Sequence, residues 1–479
     1  MRMNSVSNKT VQFKILSDTQ IEEIVSTAFE ILWRIGVDVN DKDILKLLKD
    51  AGCTIKGKRA YIPSYLVNEC LSYSPNKITI SDRDGNIAME LEKDKIYFGA
   101  GSECPYLNDP YTCQRRQWLT KDIENASKVA DYLPNIDFHM SLGLLSGVNN
   151  MTYDRYQFLA MLKNTKKPIV STVINDKGLE DMYNLCCIMT EGEDNFKLKP
   201  FFVLYIETIS PLIHSKEVLE KIKFSAKKGI PTIYTNAVNA GATSPVTLAG
   251  TIAQGAAEYL SGMVIAQLIK KGAPIIGGGT LFAMDMSTGV ASYGSTENYL
   301  MDAAMTEVCQ YLGLPVFSLA GCSSSKIFDG QAAMEAMYST MSAALSGANL
   351  IHDIGYLEDG LCGSFEQLVI TNEIIGMVKR YVSGIEVNKN TLALDIIEKV
   401  GPGGNFLTEE HTFKNFKNEM FMPELIDRSV YANWKKNGSK SLDIRVNEKV
   451  KEILKTYKPE PIEDDKLGKI DEYMKENVE

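Results

Sequence analysis

Histidine is scarce in this sequence, and cysteine never occurs at the paired spacing of a metal site. Only four histidines are present, at positions 139, 214, 352 and 411, and no two of them lie within helical reach of each other. The nine cysteines include no C-x-x-C pair, and two of them, Cys186 and Cys187, are adjacent. This distribution fits neither a zinc ribbon nor a disulfide framework. We expect reduced thiols in a cytoplasmic protein.

The sequence also lacks the features that lead a chain to membranes or nucleic acids. No apolar run approaches the ~18 residues of a membrane span, and residues 1–7 have no apolar core of the kind that a secretory signal needs. The formal net charge is -10 and no long lysine or arginine block occurs. With 44% hydrophobic and 23% charged residues, the composition is that of an ordinary globular protein. We therefore expect no nucleic-acid partner and no membrane partner.

Short apolar runs alternate with helix-length segments through the middle of the chain. Buried parallel strands are typically continuous apolar runs, and the crossovers between them are usually helices. The eight runs are 96–98, 137–141, 168–172, 201–206, 231–235, 274–276, 315–319 and 350–354. Eight such units predict an α/β fold closed as a (β/α)8 TIM barrel, although their number alone leaves an open doubly wound sheet as an alternative.

The flanking sequence differs in character from this repeating region. Residues 1–94 predict helices and a hairpin, with a polar turn at 82–86 between two short apolar runs. Residues 95–380 hold the predicted barrel. Residues 381–479 are increasingly charged and helical, and the glycine-rich turn at 401–405 is a candidate lid or clasp. The predicted organisation is a small N-terminal α+β segment, a barrel and a C-terminal helical extension.

The carboxyl ends of the predicted strands are aromatic and carry few charges. Active sites of such barrels lie at these ends, and an aromatic pocket with a carboxylate suits a quaternary ammonium ion. No acid/base dyad is evident. The candidate cage residues are Tyr97, Phe98, Tyr205, Tyr234, Phe282, Phe317 and Tyr356, with Glu207 as counter-charge. The alternative for each single aromatic ring is that it fills the barrel interior.

Polar residues at the same ends suggest recognition of an anionic group. His352, beside Asp353, is a candidate to orient a substrate carboxylate, assisted by Asn236 or Lys326; the alternative is a satisfied core histidine. The loop 321–326 gives only a weak phosphate signal. The glycines at 277–279 do not complete a dinucleotide fingerprint, because Phe282 occupies the last glycine position. They indicate instead that something approaches the backbone closely or that the turn is tight.

The order of several motifs resembles the trimethylamine methyltransferase family. The similar runs are L-P-N-I-D-F at 133–138, S-P-V-T-L-A-G at 244–250, A-P-I-I-G-G at 273–278, M-D-M-S-T-G at 284–289, G-L-P at 313–315, D-G-Q at 329–331 and L-T-E-E-H-T at 407–412. The resemblance extends from about residue 18 to residue 434. It implies a barrel enzyme that moves a methyl group from a methylated amine to the cobalt of a separate corrinoid protein. On this resemblance, the glycines at 277–279 are expected to make room for a substrate or a corrinoid.

One departure from the family pattern narrows the expected substrate. The name-giving members carry pyrrolysine in the barrel, whereas this chain has only standard residues. Members without pyrrolysine resemble quaternary amine methyltransferases that act on betaines such as glycine betaine, proline betaine or carnitine. A quaternary nitrogen leaves as a neutral amine when Co(I) attacks, so no general acid is required. The protein has only to hold the cation and exclude water.

Three other functions remain open from the sequence alone. A zinc-dependent methyltransferase of a thiol or alcohol would need Cys322, His352 and Cys362 as ligands. A phosphate-gripping lyase would use Lys326. A quaternary-amine binding protein would need no catalytic residue. We expect a homo-oligomer, whereas the identity of the betaine, the number of copies and the corrinoid docking surface are not determined by the sequence.

Overall fold

The computed structural model describes residues 14–478. The expectation about a secretory signal at residues 1–7 lies outside them. The chain first forms α1 (Asp18–Glu30), β1 (Val37–Val39), α2 (Lys42–Asp50), β2 (Thr54–Lys56), β3 (Arg59–Tyr61), α3 (Ser64–Tyr73), β4 (Ile78–Ser81) and β5 (Ile87–Leu91), with a π-helical turn at Ile31–Ile35.

The middle of the chain alternates between strands and helices. It contains β6 (Tyr97–Ala100), β7 (Tyr106–Asn108), β8 (Arg115–Arg116), α4 (Thr120–Tyr132), α5 (Tyr153–Asn164), β9 (Ile169–Ser171), α6 (Asp176–Met189), α7 (Glu193–Leu198), β10 (Phe202–Glu207), β11 (Ile213–His214), α8 (Lys216–Lys228), β12 (Thr232–Thr235), β13 (Ala237–Ala240), α9 (Leu248–Ile269), β14 (Ile275–Gly278), β15 (Thr280–Met284), β16 (Ala291–Ser292), α10 (Thr296–Tyr311), β17 (Val316–Leu319), α11 (Gly330–Ser346), β18 (Leu350–Ile354), β19 (Tyr356–Leu357), β20 (Cys362–Ser364) and α12 (Phe365–Val382). A 3-10 turn spans Glu358–Gly360.

The remainder is helical. It contains α13 (Lys389–Leu392), α14 (Leu394–Val400), α15 (Glu410–Glu419), α16 (Tyr431–Lys436), α17 (Leu442–Thr456) and α18 (Asp464–Asn477). Helices α17 and α18 each bury a few apolar side chains, among them Val446, Val450 and Ile470. None of the described helices combines the length and the hydropathy that a bilayer-spanning segment requires.

A seven-stranded parallel sheet organises the molecule. Its strand order is β6-β18-β17-β14-β12-β10-β9, and every neighbouring pair is parallel. Both edge strands approach the same segment of chain, because Gly99 pairs with Phe138 and His139 pairs with Ile169 through single parallel bridges. The predicted mixed α/β fold is confirmed.

Seven of the eight predicted strands are confirmed, and the run 137–141 forms only the two bridges. Two backbone amides there, those of Asp137 and Phe138, both donate to the carbonyl of Phe98, which leaves too few bonds for a regular ladder. Leu142 then takes a φ of 60°, which turns the chain out of the pleat. The closure of the sheet into an eight-stranded barrel therefore stays a prediction.

The two faces of the sheet pack against different partners, as the alternation of side chains along a strand requires. One face of β10 directs Phe202 and Leu204 into the core shared with the outer helices. The other directs Val203 and Tyr205 into an inner cluster with their neighbours on the adjacent strands. The β4–β5 hairpin joins this inner cluster through Ile78, Ile80, Met89 and Leu91. The hairpin thereby fills the amino-terminal end of the sheet's concave side.

Candidate functional site

The site is built at the carboxyl end of β10. Tyr205 and Glu207 are two residues apart and therefore project to the same face of the strand. The Tyr205 hydroxyl donates a hydrogen bond of 2.6 Å to Glu207 Oε1. Tyr205 also belongs to the inner cluster, so this face is the concave one. The sequence predicted both residues for the site, and the structure places them together there.

Two further predicted residues stack beside Tyr205. The rings of Phe317 and His352 are 4.2 Å apart between centroids and only 26° from parallel. Phe317 meets Tyr205 edge-on at 5.5 Å, and His352 lies 6.0 Å from Tyr205. These residues come from three different strands, so the register of the sheet brings them together.

A second row of aromatic rings lies next to the first. Phe282 is 4.6 Å from Tyr293, and Tyr293 is 6.2 Å from Tyr356. The Tyr356 hydroxyl is tied to the backbone of Ser102, whose amide donates to it at 2.6 Å. Burial raises the pKa of Tyr293, and the charges of Asp353 and Glu207 raise it further. The Tyr293 hydroxyl therefore lies within electrostatic reach of both carboxylates. Sequence reasoning missed Tyr293, which follows β16 in an irregular loop.

The Glu207 side chain is exposed to solvent although protein atoms surround it. Its exposure coexists with a pKa that burial raises more than any other cause. We infer from these two observations that Glu207 lines a recess of the concave face, called the chamber below. Glu103 resembles it, because burial raises its pKa and the Tyr153 hydroxyl donates to its Oε1 at 3.1 Å. Sequence reasoning missed this second tyrosine–carboxylate pair.

Negative charge in this chamber has no permanent counter-ion. Burial raises the pKa of Glu207 most, and the charges of Asp353 and Glu103 raise it further, whereas the hydrogen bond from Tyr205 and the electrostatic interaction with His352 lower it. Within residues 14–478, no lysine or arginine forms an ion pair with any of these three carboxylates. Burial lowers the pKa of Lys221 while the charges of Asp154 and Glu103 oppose that shift, and its amino group donates to the carbonyl of Val173. The chamber is therefore suited to a cationic ligand.

His352 and Asp353 are buried with their polar atoms uncommitted. His352 Nδ1 is 2.6 Å from Asp353 Oδ1, but the atoms of these adjacent residues are not oriented for a hydrogen bond. Neither ring nitrogen and neither carboxylate oxygen has a hydrogen-bond partner in the described part of the chain. Asp353 has a φ of 72°, an unusual conformation for a residue with a side chain. Buried polar atoms without partners are costly, which makes them candidates to bind a ligand.

The two predicted residues at the start of β6 lie elsewhere. The Tyr97 hydroxyl accepts a hydrogen bond from the Glu90 amide of the plugging hairpin. Phe98 is buried in the core between sheet and helices, with Lys379 Nζ 5.9 Å from its ring. They were chosen as residues at a strand end, but Tyr97 begins the strand. We leave both out of the site.

Tyr234 and Asn236 also point away from the chamber. The Tyr234 hydroxyl lies 2.5 Å from His214 Nδ1 on the helix side of the sheet. The Asn236 side chain is buried and donates to the carbonyl of Gly255 in α9 at 2.8 Å. The alternation of side chains along β12 could have predicted this orientation. Ile233 faces the inner cluster, so the next residue, Tyr234, must face the helices.

Lys326 is exposed, and its amino group donates to the carbonyl of Ser324. The loop before it does not cradle phosphate, because the Ser323 hydroxyl and the Ser324 amide both donate to the carboxylate of Glu335. The two donors are therefore already used, and the negative charge of Glu335 would repel an anion. The predicted roles of Lys326 and of this loop find no support in their placement.

The glycines of β14 serve packing. A Cβ at Gly277 would lie 2.9 Å from the Tyr259 ring, and one at Gly278, whose φ is 127°, would lie 2.2 Å from the carbonyl oxygen of Phe317. The expectation that they make room for a substrate or a corrinoid is wrong, because α9 and β17 occupy that space.

A zinc centre is not supported within residues 14–478. No group of three His, Cys, Asp or Glu side chains there could hold a metal ion. Of the three proposed ligands, Cys362 directs its thiol to the carbonyl of Gly363. Burial holds the pKa of Cys322 well above its ordinary range, which disfavours the thiolate that zinc requires.

Comparisons with known proteins agree over nearly the whole chain. Residues 1–479 match the family model described as trimethylamine methyltransferase (MTTB). The chain is 32% identical over 468 residues to glycine betaine methyltransferase of Desulfitobacterium hafniense (strain Y51), covering 97% of each chain. It is 33% identical over 466 residues to trimethylamine methyltransferase MttB of Methanosarcina thermophila, covering 95% of this chain and 96% of that one.

A solved structure shares the fold. The crystal structure of a hydroxylamine complex of MtmB superimposes with a TM-score of 0.50 at 12% identity, covering 93% of this chain and 95% of that one.

Proposed function

Since the chain belongs to the trimethylamine methyltransferase family, we propose that it demethylates a quaternary amine and delivers the methyl group to a corrinoid carried by a separate protein. The family makes the chain a methyltransferase. The choice of a quaternary amine rests on one observation: a chamber with two tyrosine–carboxylate pairs and no lysine or arginine paired to them within residues 14–478. The similarity to glycine betaine methyltransferase points to the same class of substrate.

The chamber residues have defined tasks in this reaction. Phe317, Tyr205 and Tyr293 offer aromatic faces, which attract a quaternary ammonium by about 0.5 to 2 kcal/mol each when desolvated. Glu207 and Glu103 supply the counter-charge, and their raised pKa values are lowered again when a cation lies beside them. Each carboxylate is fixed by its tyrosine. The ammonium is thereby held with its methyl groups inside the chamber.

No proton transfer is needed at the reacting carbon. The C–N bond breaks with its electron pair retained by nitrogen, and the amine leaves neutral. An acid that protonated the leaving group would therefore give no advantage. The site is consistent with this requirement, because Glu207 and Glu103 each accept a hydrogen bond from a tyrosine hydroxyl. The work of the protein is positioning and water exclusion.

We assign His352 to the substrate's anionic end. Its two ring nitrogens lack hydrogen-bond partners within the described residues, and its ring is fixed by stacking on Phe317. A betaine carries its carboxylate within a few bonds of the ammonium, so one short chamber serves both ends. This assignment favours a betaine over a simple tetraalkylammonium ion.

The mouth of the chamber fits a bulky, partly apolar partner. Exposed apolar side chains stand on seven of the loops that follow the sheet strands or their bridge segment: Leu119, Met151, Ile209, Val246, Met286, Ile327 and Leu361, each between 48% and 74% exposed. A surface of this kind marks an interaction site. The reduced cobalt of the corrinoid would supply the nucleophile, and these residues would hold its carrier protein over the mouth.

The same reasoning extends to the fold. We infer that the sheet closes as a (β/α)8 barrel through Phe138 and His139, supported by their bridges to Gly99 and Ile169. The division into residues 1–94, 95–380 and 381–479 is likewise our proposal.

The decisive experiment mixes the purified chain with cob(I)alamin and a panel of quaternary amines, and follows loss of the Co(I) absorbance. Glycine betaine, proline betaine and carnitine form the core of the panel, while choline and trimethylamine test the need for a carboxylate and for a quaternary nitrogen. Transfer from at least one quaternary amine is expected. A panel that binds tightly without transfer would identify a binding protein, and a panel that neither binds nor reacts would overturn the proposal.

A further inference from the structure

Of the three rings in the second aromatic row, only that of Tyr293 lies outside a strand. Phe282 belongs to β15 and Tyr356 to β19, whereas Tyr293 lies in the short segment between β16 and α10. The pleat of a strand fixes the direction of its side chains, but a loop residue depends on the specific bonds of its backbone. The position of the Tyr293 ring must therefore be set by groups from other parts of the chain.

Two side chains from other loops hold the backbone at this position. Asp359 Oδ1 accepts a hydrogen bond from the Tyr293 amide at 2.9 Å and another from the Ser324 hydroxyl at 2.5 Å. Ser324 Oγ in turn accepts a hydrogen bond from the Gly294 amide at 3.1 Å. Two consecutive amides are thus bound by one pair of side chains, and the charge of the carboxylate strengthens its share of these bonds.

Ser324 is itself fixed, so the pair is a firm support. The Ser324 amide donates to Glu335 Oε2 at 2.9 Å, and the Ser323 hydroxyl donates to the same oxygen at 2.6 Å. A Cβ at Gly294 would lie 2.6 Å from the carboxyl carbon of Glu335. The absence of a side chain at Gly294 therefore lets the Tyr293 segment approach the loop after β17 closely enough for these bonds.

Asp359 has a backbone conformation that is costly for a residue with a side chain. Its φ is 54°, and the φ of Glu358 before it is 52°, which places both in the left-handed region. The turn is held by the Glu358 amide, 2.7 Å from the carbonyl of Ser325, and by the Asp359 amide, 3.1 Å from that of Ser323. A glycine would form the same turn without strain. What the aspartate adds is its carboxylate, which binds the Tyr293 segment.

We propose that Asp359 is a positioning residue for cation binding, which acts by holding the Tyr293 ring against the chamber. The inference rests on the proposed function, because it takes a quaternary ammonium ion as the ligand. A cation is attracted to an aromatic face only within about 6 Å of the ring centroid, so a ring that is no longer held loses most of this attraction. In this role Asp359 acts through Tyr293 and does not itself touch the ligand.

A double-mutant cycle on the full chain tests whether Asp359 acts through Tyr293. Calorimetry gives the dissociation constants of glycine betaine, proline betaine, carnitine and choline for the wild type, Asp359→Gly, Tyr293→Leu and the double variant. Each single variant should weaken binding about 2- to 30-fold, which is the value of one aromatic face. The double variant should bind no more weakly than Tyr293→Leu alone, because residues that act through one another are not additive.

Two further variants separate this role from a general effect on the turn. Asp359→Asn keeps an acceptor oxygen and tolerates the left-handed conformation, so it should bind nearly as the wild type does. Glu358→Gly is the matched control. Glu358 has nearly the same φ, but its carboxylate accepts from Arg115 at 2.8 Å and not from the Tyr293 segment. This variant should leave every dissociation constant unchanged.

Hydrogen exchange supplies a second readout that needs no ligand. The amides of Tyr293 and Gly294 should lose protection in Asp359→Gly and keep it in Glu358→Gly. Unchanged exchange in Asp359→Gly, additive losses in the cycle, or weak binding by Asp359→Asn would each overturn the positioning role. A wild-type chain that binds none of the four quaternary amines would instead overturn the proposed function, and the role in cation binding with it, even if Asp359→Gly alters the exchange.

Discussion

Tyr205 donates its phenolic hydrogen to Glu207 across 2.6 Å, from a position two residues earlier on the same strand. The bond orients the carboxylate while leaving its second oxygen for a ligand. Burial raises the pKa of Glu207, which means that the ionised carboxylate is destabilised as long as no cation lies beside it.

Replacing Glu207 by glutamine should weaken binding of the quaternary amine roughly 10- to 100-fold, because an ion pair in a shielded site is removed while the side-chain shape is kept. Isothermal titration calorimetry measures the change. Glu297→Gln on the exposed start of α10 is the control and should bind as the wild type does. Equal affinities for the wild type and Glu207→Gln would remove Glu207 from the site.

Affinity should rise with pH in the range above the ordinary carboxyl value. Glu207 and Glu103 have pKa values raised above 4.5, so the neutral forms persist to higher pH, and the cation binds the ionised forms. KM should therefore fall as pH rises and then level off above the raised pKa values. A quaternary nitrogen does not titrate, so the dependence belongs to the protein. The double variant Glu103→Gln with Glu207→Gln should give a flat profile.

Phe317→Leu should raise KM about 2- to 30-fold, which corresponds to one aromatic face of about 0.5 to 2 kcal/mol. It also removes the ring on which His352 stacks. Phe158→Leu is the control, since Phe158 packs edge-on against Phe202 on the helix side at 5.3 Å. That variant should lose stability and keep its KM. A similar change of KM in both variants would mean that the ring serves packing alone.

His352→Gln distinguishes substrate recognition from core packing. We expect the dissociation constant of a betaine to rise roughly ten-fold, the cost of a lost charge-assisted hydrogen bond, while that of a choline-like cation stays unchanged. Calorimetry with both ligands gives the two numbers. A parallel loss for both ligands would contradict carboxylate recognition.

Tyr234→Phe should destabilise the fold without affecting turnover. Its hydroxyl bonds to His214, whose pKa burial lowers to about 4, so the imidazole is neutral at pH 7. Loss of this buried hydrogen bond should cost about 1 kcal/mol in denaturant unfolding. An altered KM would return Tyr234 to the list of substrate contacts.

The sequence predicted the sheet well and the chamber only in part. Apolar runs joined by helices follow from burial on both faces, and seven such runs form strands. Glu207, Phe317 and His352 were identifiable because each lies in a strand or at its carboxyl end. Tyr97 was misplaced by reading the start of a strand as its end. Tyr234 was misplaced by ignoring the alternation of faces.

The missed residues lie where periodicity carries no information. Glu103 has a φ of 56° in the loop after β6, and Tyr293 belongs to a loop that returns over the chamber. No local pattern predicts which loop residues fold inward, because tertiary packing decides it. Residues 385–418 show the opposite case, because they carry several large apolar side chains although none of these residues is buried.

The hairpin that fills the amino-terminal end of the sheet also constrains the order of events. The hairpin closes this end of the chamber with four apolar side chains, those of Ile78, Ile80, Met89 and Leu91. Substrate therefore enters and demethylated product leaves through the mouth. A carrier protein bound at the mouth would block this passage. On the proposed function, substrate must load before the carrier docks and product must wait until it departs, so exchange of carriers sets an upper limit on the rate of turnover.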